Sequence, residues 1–264
     1  MIQNNPTIWL PDFPFREKHD HKYTHGHAVI FGAPKMTGAT RLAALACARI
    51  GAGLTTVIAP EGAGDIYRRT LEPHIIVRDR DDDLWPFLKD ERITAMLIGP
   101  GAGDGHDALK ADIANILTLN KQVVIDADGL NALEKPVLNP QCVLTPHEGE
   151  FRKLFPGLRG TREEKVLYAS QQTGAVVVLK GAETLIAFGD ECAKNTNAPP
   201  ELATAGTGDV LAGMITGLLA QGMEPFQAAC AAVWIHGEAA KGFGPGLVAS
   251  DLPDRIPAVL RELT

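Results

Sequence analysis

Continuous apolar runs alternate with helically spaced segments along most of the chain. Uninterrupted runs of Val, Ile and Leu are typical of strands that are buried on both faces of a parallel sheet. The pattern predicts strands at residues 27–31, 54–59, 74–77, 93–98, 122–125, 142–144 and 176–179. It predicts helices at residues 38–49, 62–71 and 107–119. A further helix is expected between the third and fourth strands, and the pattern is helical from Gly206 to the end. This alternation indicates an α/β fold.

A further strand is expected at residues 184–188, directly after a Gly-Ala-Glu turn. The short turn predicts a hairpin, so the mostly parallel sheet should carry an antiparallel edge. The expected architecture is a three-layer α/β/α sandwich. Because the sequence has no repeat or linker, residues 1–264 are interpreted as one domain with an N-terminal extension at 1–22. Ligands of such folds bind outside the carboxyl ends of the strands.

Charge and composition exclude several classes of protein. Lys and Arg number 25 against 32 Asp and Glu, a formal net charge of −7, which argues against a nucleic-acid partner. The sequence offers no secretory leader and no apolar run of the roughly 18 residues that a membrane helix needs. The four scattered cysteines form no CxxC pair and are interpreted as buried thiols of a cytoplasmic protein.

Gly206, Thr207, Gly208 and Asp209 open a helix with a clear apolar face. Backbone N–H groups of such a small-residue entry can converge on an anion. A carboxylate would repel a phosphate there unless it takes a proton, so Asp209 is a candidate general base. The alternative is that Asp209 only caps the helix and complements its dipole.

His147 and Glu150 belong to a loop at the end of a buried strand. The imidazole can hold a polar substrate, and the carboxylate can orient a hydrated Mg²⁺. In the alternative interpretation, this segment is a helix N-terminus, where Glu148 and Glu150 are favourable in the first turn.

Three further loops are candidates. Lys180 at a strand end can meet a phosphate, although a turn lysine without a ligand is the alternative. The loops at residues 32–40 and 99–103 match neither a P-loop nor a dinucleotide fingerprint, and both can be plain turns. Asp126 and Asp128 flank Ala127 at another strand end, where they can bind a metal or a hydroxyl group. A helix cap by Asp128 is an equal alternative, so both rank second.

Several segments together carry a family resemblance. They are ATAGTGDVLAGMITGLLAQG, FGAPKMTGATRLAALACARIGAGLTTV, LIGPGAG, VVIDADGLNAL, VLTPHEGEFRKL and VVLKGAETLIA. The sequence resembles the ADP-dependent NAD(P)H-hydrate dehydratases, repair lyases of the ribokinase-like superfamily. The likeness begins near Tyr23, and DADGLNAL with TPHxGEF is its most specific part. The resemblance implies that ADP and Mg²⁺ are used to dehydrate NADHX or NADPHX, and that the protein is a homo-oligomer, with a tetramer favoured.

The resemblance also implies residue roles. Asp209 would be the base, with Gly206, Thr207 and Gly208 around the developing charge. The substrate would contact Ala39, Gly103, His147 and Asp209. The nucleotide would contact Gly208 and the hairpin residues Lys180, Gly181, Ala182, Glu183 and Thr184. Glu150 would hold the metal through water.

The sequence departs from the family at two places. Glu148 stands where the family usually has proline, and residues 195–202 replace a Gly-Asn-rich stretch, where Asn197 can do the equivalent job. The runner-up function is a small-molecule kinase of the same superfamily, similar to hydroxyethylthiazole kinase. A third interpretation is a nucleotide-sensing module without catalysis. The cluster of His19, His21, His25 and His27 lacks a partner set for a metal, so no metal is expected there.

Overall fold

A computed structural model describes residues 1–81, 83–103, 105–133 and 138–264. In these ranges the centre of the fold is one ten-stranded sheet, in the order β1-β10-β9-β8-β7-β6-β5-β2-β3-β4. The strands are β1 (Ile2–Gln3), β2 (His27–Phe31), β3 (Leu54–Ala59), β4 (Ile76–Asp79), β5 (Ile93–Ile98), β6 (Gln122–Ile125), β7 (Cys142–Leu144), β8 (Val176–Leu179), β9 (Thr184–Phe188) and β10 (Glu191–Asn195).

The helices lie on both faces of this sheet. They are α1 (Thr37–Arg49), α2 (Gly64–Thr70), α3 (Leu84–Leu88), α4 (His106–Leu117), α5 (Asp128–Asn131), α6 (Glu148–Leu154), α7 (Arg162–Thr173), α8 (Thr207–Ala220), α9 (Pro225–Phe243) and α10 (Leu252–Leu263). Alternate strand residues enter two separate cores. Ala28 and Ile30 of β2 pack with α1, α8 and α9, whereas Val29 and Phe31 pack with α3 and α4. The predicted three-layer sandwich is confirmed.

The predicted hairpin is confirmed, because β9 pairs antiparallel with β8. It is not the edge of the sheet, however. The unpredicted β10 pairs antiparallel with β9, and β1 then pairs parallel with β10. The strand predicted at 74–77 forms two residues later, at Ile76–Asp79, and helix α2 is shorter than predicted.

Residues of the expected N-terminal extension pack into the domain. Beyond β1, Asn4 is 2% exposed and Trp9 is fully buried. The ring centroids of Trp9 and Trp234 of α9 lie 5.7 Å apart. The first strand is therefore anchored by an aromatic contact as well as by backbone pairing.

Two glycines let α8 cross α1 at very short range. A Cβ atom on Gly213 would lie 2.1 Å from the Ala43 carbonyl oxygen, and one on Gly217 would lie 2.3 Å from Cγ2 of Ile50. The backbones can approach this closely only because neither position has a side chain. This crossing fixes the start of α8, which carries Asp209, against the start of α1, which carries Ala39.

The four cysteines at positions 47, 142, 192 and 230 are buried and unpaired, as predicted. Within the described residues, no helix combines the length and apolarity that crossing a bilayer requires.

Candidate active site

An ion pair lies at the carboxyl ends of the central strands. The Nζ atom of Lys180, after β8, is 2.9 Å from Oδ1 of Asp126, after β6, whose side chain is only 2% exposed. A β-bridge joins Lys180 to His147, which belongs to the loop after β7. This loop therefore lies between the strand ends that carry Asp126 and Lys180. A Cβ atom on Gly208 would be 3.4 Å from the same Nζ atom. Lys180 therefore joins the predicted nucleotide, substrate and base segments at one place.

Asp209 stands in the first turn of α8 beside this pair. Burial and the charge of Asp126 raise the pKa of Asp209, Lys180 opposes both, and the net result is a pKa of about 6. Asp128 contributes a smaller increase. A pKa near the working pH is what general base catalysis needs.

The cap of α8 is Gly206, in the left-handed conformation with φ 92°, and no side chain caps this helix. A Cβ at Gly206 would lie 2.7 Å from Leu42 and 2.9 Å from Ala249. The hydroxyl of Thr207 donates instead to the carbonyls of Leu202 and Thr204. The first N–H groups of a helix have no intrahelical acceptor, so this turn can hold an anion. The geometry disfavours the alternative in which Asp209 caps the helix.

The positions of Asp126 and Asp128 depend on the strained backbone of Ala127, the residue between them. Ala127 has a φ of 49°, which is unusual for a residue other than glycine. The turn buries Asp126 and lets Oδ2 of Asp128 accept the backbone N–H of Gly103 at 2.8 Å. Strain of this kind persists where the surrounding structure imposes it, often at functional sites. Asp128 opens α5 without capping it through its side chain.

His147 and Glu150 form a capping box at the start of α6. Nδ1 of His147 accepts the N–H groups of Gly149 and Glu150, while Oε2 of Glu150 accepts the N–H of His147 at 2.8 Å. The helix N-terminus considered as the alternative is therefore real. Because Nδ1 is an acceptor, Nε2 carries the proton, and the half-exposed imidazole offers a hydrogen-bond donor to solvent.

Glu148 has a partner of its own. Its Oε1 accepts from Arg162 Nε at 2.6 Å, and Arg162 Nη1 donates to the carbonyl of Glu183 at 2.9 Å. The departure from the family proline thus links α6 to the hairpin turn. In that turn Thr184 donates to the Gly181 carbonyl at 3.1 Å. The turn containing Gly181, Ala182, Glu183 and Thr184 is therefore fixed from both sides.

Lys180 was predicted as a phosphate contact, and the structure gives it a carboxylate partner as well. Burial lowers the pKa of the Lys180 ammonium, but Asp126, Glu150 and Asp209 outweigh this effect and hold it above the usual value. The lysine is thus a cation between three acids. The sequence pattern does not indicate this partner, because Asp126 and Lys180 are 54 residues apart.

The loops of Ala39 and Gly103 meet at the start of α1. The N–H of Ala39 donates to the Met36 carbonyl. A Cβ on Gly101 would lie 2.8 Å from that same carbonyl oxygen. Gly99 approaches the Asp126 carbonyl so closely that a Cβ would lie 1.9 Å from it. The predicted substrate loops therefore border the acid cluster.

His236 of α9 was not predicted and lies behind the entry of α8. Burial lowers its pKa to about 4, while a bond to the Thr207 backbone opposes this effect. The histidines near the N-terminus have ordinary partners instead. His25 meets Asp20 at 2.8 Å and His27 meets Thr56 at 2.7 Å. Over the described ranges, no group of three or more His, Cys, Asp or Glu can enclose a metal ion.

The residues fit a magnesium ion that is held through water. Mg²⁺ usually keeps several waters and binds one or two carboxylates together with substrate phosphates. The Glu150 side chain is 11% exposed, and its Oε1 lies 3.5 Å from His147 Nε2, while Oε2 is used in the capping box. One carboxylate oxygen is thus available to a metal-bound water.

The fold is that of a ribokinase-like protein, with an uncapped helix start and a buried carboxylate beside it at the carboxyl ends of the strands. Residues 27–259 match the model of the NAD(P)H-hydrate dehydratase family, and the chain belongs to that family. The prediction made from the sequence motifs is therefore confirmed.

Three relatives illustrate the match. The ADP-dependent (S)-NAD(P)H-hydrate dehydratase of Neisseria meningitidis is 38% identical over 266 residues, covering 91% of this chain and 86% of that protein. The bifunctional NAD(P)H-hydrate repair enzyme Nnr of Salinibacter ruber is 37% identical, covering 95% of this chain. This chain spans about half, 51%, of that bifunctional relative.

The third relative is a solved structure. The ADP/ATP-dependent NAD(P)H-hydrate dehydratase of Bacillus subtilis, crystallised with ATP and Mg²⁺, superposes with a TM-score of 0.86 at 30% identity. The superposition covers 100% of this chain and 99% of that one.

Proposed function

We propose that this protein dehydrates (6S)-NADHX and NADPHX to NADH and NADPH at the expense of ADP, giving AMP and phosphate. The observation that carries the proposal is the placement of Asp209. This carboxylate, with its pKa raised to about 6, stands in the first turn of α8 beside the Asp126–Lys180 pair. Membership of the dehydratase family supports the choice of substrate.

In the proposed reaction, Asp209 takes the proton of the ring hydroxyl. The hydroxyl oxygen then attacks the terminal phosphorus of ADP, and the bond to the AMP oxygen breaks. N–H groups of Gly206, Thr207 and Gly208 hold the negative charge that develops. Phosphate then leaves with the electron pair of the carbon–oxygen bond, and the neighbouring ring carbon loses a proton to the departing phosphate or to water. The carbon–carbon double bond that forms restores the reduced nicotinamide. Bound Mg²⁺ would neutralise phosphate charge, with Glu150 holding one of its waters.

The nucleotide is assigned to Gly208 and to the hairpin Lys180, Gly181, Ala182, Glu183 and Thr184. The supporting observation is that Lys180 lies between Asp126 and the Gly208 backbone, where an ammonium group can meet a phosphate. The substrate is assigned to Ala39, Gly103, His147 and Asp209. The Nε2–H group of His147 would donate to an acceptor of the hydrated nicotinamide.

Three broader assignments complete the proposal. Residues 1–264 act as one domain, the protein works in the cytoplasm, and it assembles as a homo-oligomer, with a tetramer favoured. Light scattering coupled to size-exclusion chromatography measures the last of these. A monomeric mass at working concentration contradicts it.

The central test is recovery of NADH absorbance from purified NADHX with ADP and Mg²⁺, and with ATP in parallel. Asp209→Asn should abolish recovery while ADP still binds. Near-normal turnover in Asp209→Asn would refute the base assignment. A stable phosphorylated product in place of NADH would identify a kinase of the same superfamily.

A further inference from the structure

A chain of side-chain amides connects the first strand to the candidate nucleotide hairpin. Nδ2 of Asn4 donates to Oδ1 of Asn195 at 3.0 Å and to the carbonyl of Cys230 at 2.8 Å. Nδ2 of Asn195 donates in turn to Oδ1 of Asn197 at 2.6 Å. Asn4 and Asn195 are both buried, at 2% and 0% exposed. These bonds replace contacts with water for the two NH₂ groups and for the Asn195 oxygen, whereas Oδ1 of Asn4 is buried without a hydrogen-bond partner among the described residues.

The direction of every amide in this chain is fixed from its far end. Nδ2 of Asn197 donates to the Trp234 carbonyl at 2.8 Å and to the Glu238 carboxylate at 2.9 Å. Both partners accept only, so the Asn197 oxygen must face Asn195. Asn195 must then present its NH₂ group to Asn197 and its oxygen to Asn4. Reversing any amide would oppose two acceptors and lose at least one bond.

The amide chain lies directly behind the nucleotide hairpin. Asn195 is the register partner of Thr184 across β10 and β9. The preceding residue, Lys194, is the register partner of Gln3 of β1 and forms an ion pair with Glu183 at 2.7 Å. Two residues of the hairpin are thus held, through β10, by the first strand.

The segment after Asn197 leads to the start of α8, which carries the candidate base Asp209. From Asn197 the chain runs through a short 3₁₀ turn at Pro200–Leu202, and the Leu202 carbonyl accepts the Thr207 hydroxyl at 2.9 Å. Helix α9 has a glycine opposite the amide, because a Cβ on Gly237 would lie 2.2 Å from Oδ1 of Asn197. The segment is therefore fixed against both α9 and α8.

We propose that Asn4 is a positioning residue for the adenine nucleotide. It completes the amide chain by donating to the Asn195 oxygen, and it thereby fixes β10 behind Thr184 and behind the segment that leads to Thr207. The proposal rests on the proposed function in taking ADP as the nucleotide. It gives residues 1–4 a part in ligand binding, although no atom of Asn4 is assigned to contact the ligand.

The test compares Asn4→Ala and Asn4→Asp with Asn5→Ala. Among the described residues, the Asn5 side chain bonds only to its neighbours Gln3 and Thr7. Calorimetry gives the Kd for ADP with Mg²⁺, and NADHX turnover gives kcat and both KM values. Loss of a buried hydrogen-bond pair should weaken ADP binding by about tenfold in Asn4→Ala. Asn4→Asp should weaken it further, because a carboxylate would oppose two acceptors. The kcat at saturating ADP and the KM for NADHX should match those of Asn5→Ala.

A lower melting temperature with an unchanged Kd for ADP in the folded variants would show that Asn4 is merely structural and would overturn the proposal. The proposed function and the positioning role of Asn4 can fail independently. A wild-type protein that binds ADP but does not turn over NADHX contradicts the proposed function alone. If Asn4→Asp does not fold, Asn4→Ala decides. A wild-type protein without affinity for ADP overturns both.

Discussion

The ammonium group of Lys180 lies 2.9 Å from the buried carboxylate of Asp126, and these two charges act on Asp209 in opposite directions. Asp126 favours the protonated form of Asp209, whereas Lys180 favours the ionised form. The pair therefore adjusts the proton affinity of the candidate base through its charges.

The rate of dehydration should fall at acid pH with a midpoint near the Asp209 pKa of about 6. A general base must be ionised, so activity is lost as pH falls through that value. The measurement is kcat/KM for NADHX between pH 5 and about 8, corrected for acid hydration of the NADH that forms. A flat profile across this window would assign the base role to another group.

Replacing Asp126 and replacing Lys180 should move the acid limb of the pH–rate profile in opposite directions. Asp126→Asn removes a like charge and leaves Lys180 unpaired, so the Asp209 pKa should fall and activity should persist to lower pH. Lys180→Gln removes the opposing cation, so the limb should move to higher pH. Parallel pH–rate profiles of the two variants provide the measurement. Shifts in the same direction would contradict the arrangement.

The raised pKa of Asp209 also predicts how stability depends on pH. The folded state binds this proton more tightly than the unfolded chain does, so its stabilising effect is present below pH 3.8 and is lost as pH rises through about 6. Asp209→Asn should therefore be more stable than wild type at pH 8, by roughly 1–2 kcal/mol after allowance for solvent screening. Urea unfolding at pH 4 and at pH 8 measures the difference. An equal difference at both values would show that Asp209 titrates normally.

Glu150→Gln should raise the Mg²⁺ concentration needed for half-maximal activity while stability changes little. Glutamine can still accept the His147 N–H of the capping box, but it lacks the charge that attracts a hydrated cation. The matched control is Glu164→Gln, which changes the same position of the Thr161 capping box on α7. If both variants respond alike to Mg²⁺, Glu150 has only its capping role.

Gly213→Ala should reduce both stability and kcat. Its methyl group would overlap the Ala43 carbonyl and push α8 away from α1, at a cost of about 1–3 kcal/mol. Gly242→Ala in α9 is the control, since a Cβ there meets nothing within 4 Å. The control should be neutral or stabilising because alanine favours helix. Thermal unfolding and turnover of both variants measure the contrast, and an unaffected Gly213→Ala would mean that the crossing is not tight.

The central strands could be predicted to the residue, because runs such as Leu54–Ala59 and Ile93–Ile98 are bounded abruptly by glycine, proline or a charged residue. β10 was missed because Glu191–Asn195 is rich in residues that strands disfavour, and its pairing with β9 supplies what propensity does not. Helix α7 did leave readable signals. Thr161 and Glu164 form its capping box, and Gly174 ends it in the left-handed conformation.

The candidate site was predictable where its residues form local motifs and was incomplete where they do not. Asp209 and His147 stand in recognisable loops. The Asp126–Lys180 pair and the Asn4–Asn195 bond join residues that are far apart in the sequence, and only the order of the sheet brings them together. The double use of His147, as a cap and as an exposed donor, depends on which ring nitrogen faces the backbone.

The parallel pairing of β1 with β10 has a consequence for the order of folding. The contacts of Asn4 with Asn195 span 191 positions, and synthesis delivers the first strand long before its partner exists. Contacts of such long range form slowly, because the chain must close a large loop before they stabilise anything. Strand β1, which is synthesised well before β10, is therefore among the last to join the sheet. Competence to bind nucleotide should appear late in refolding, after the central strands have assembled.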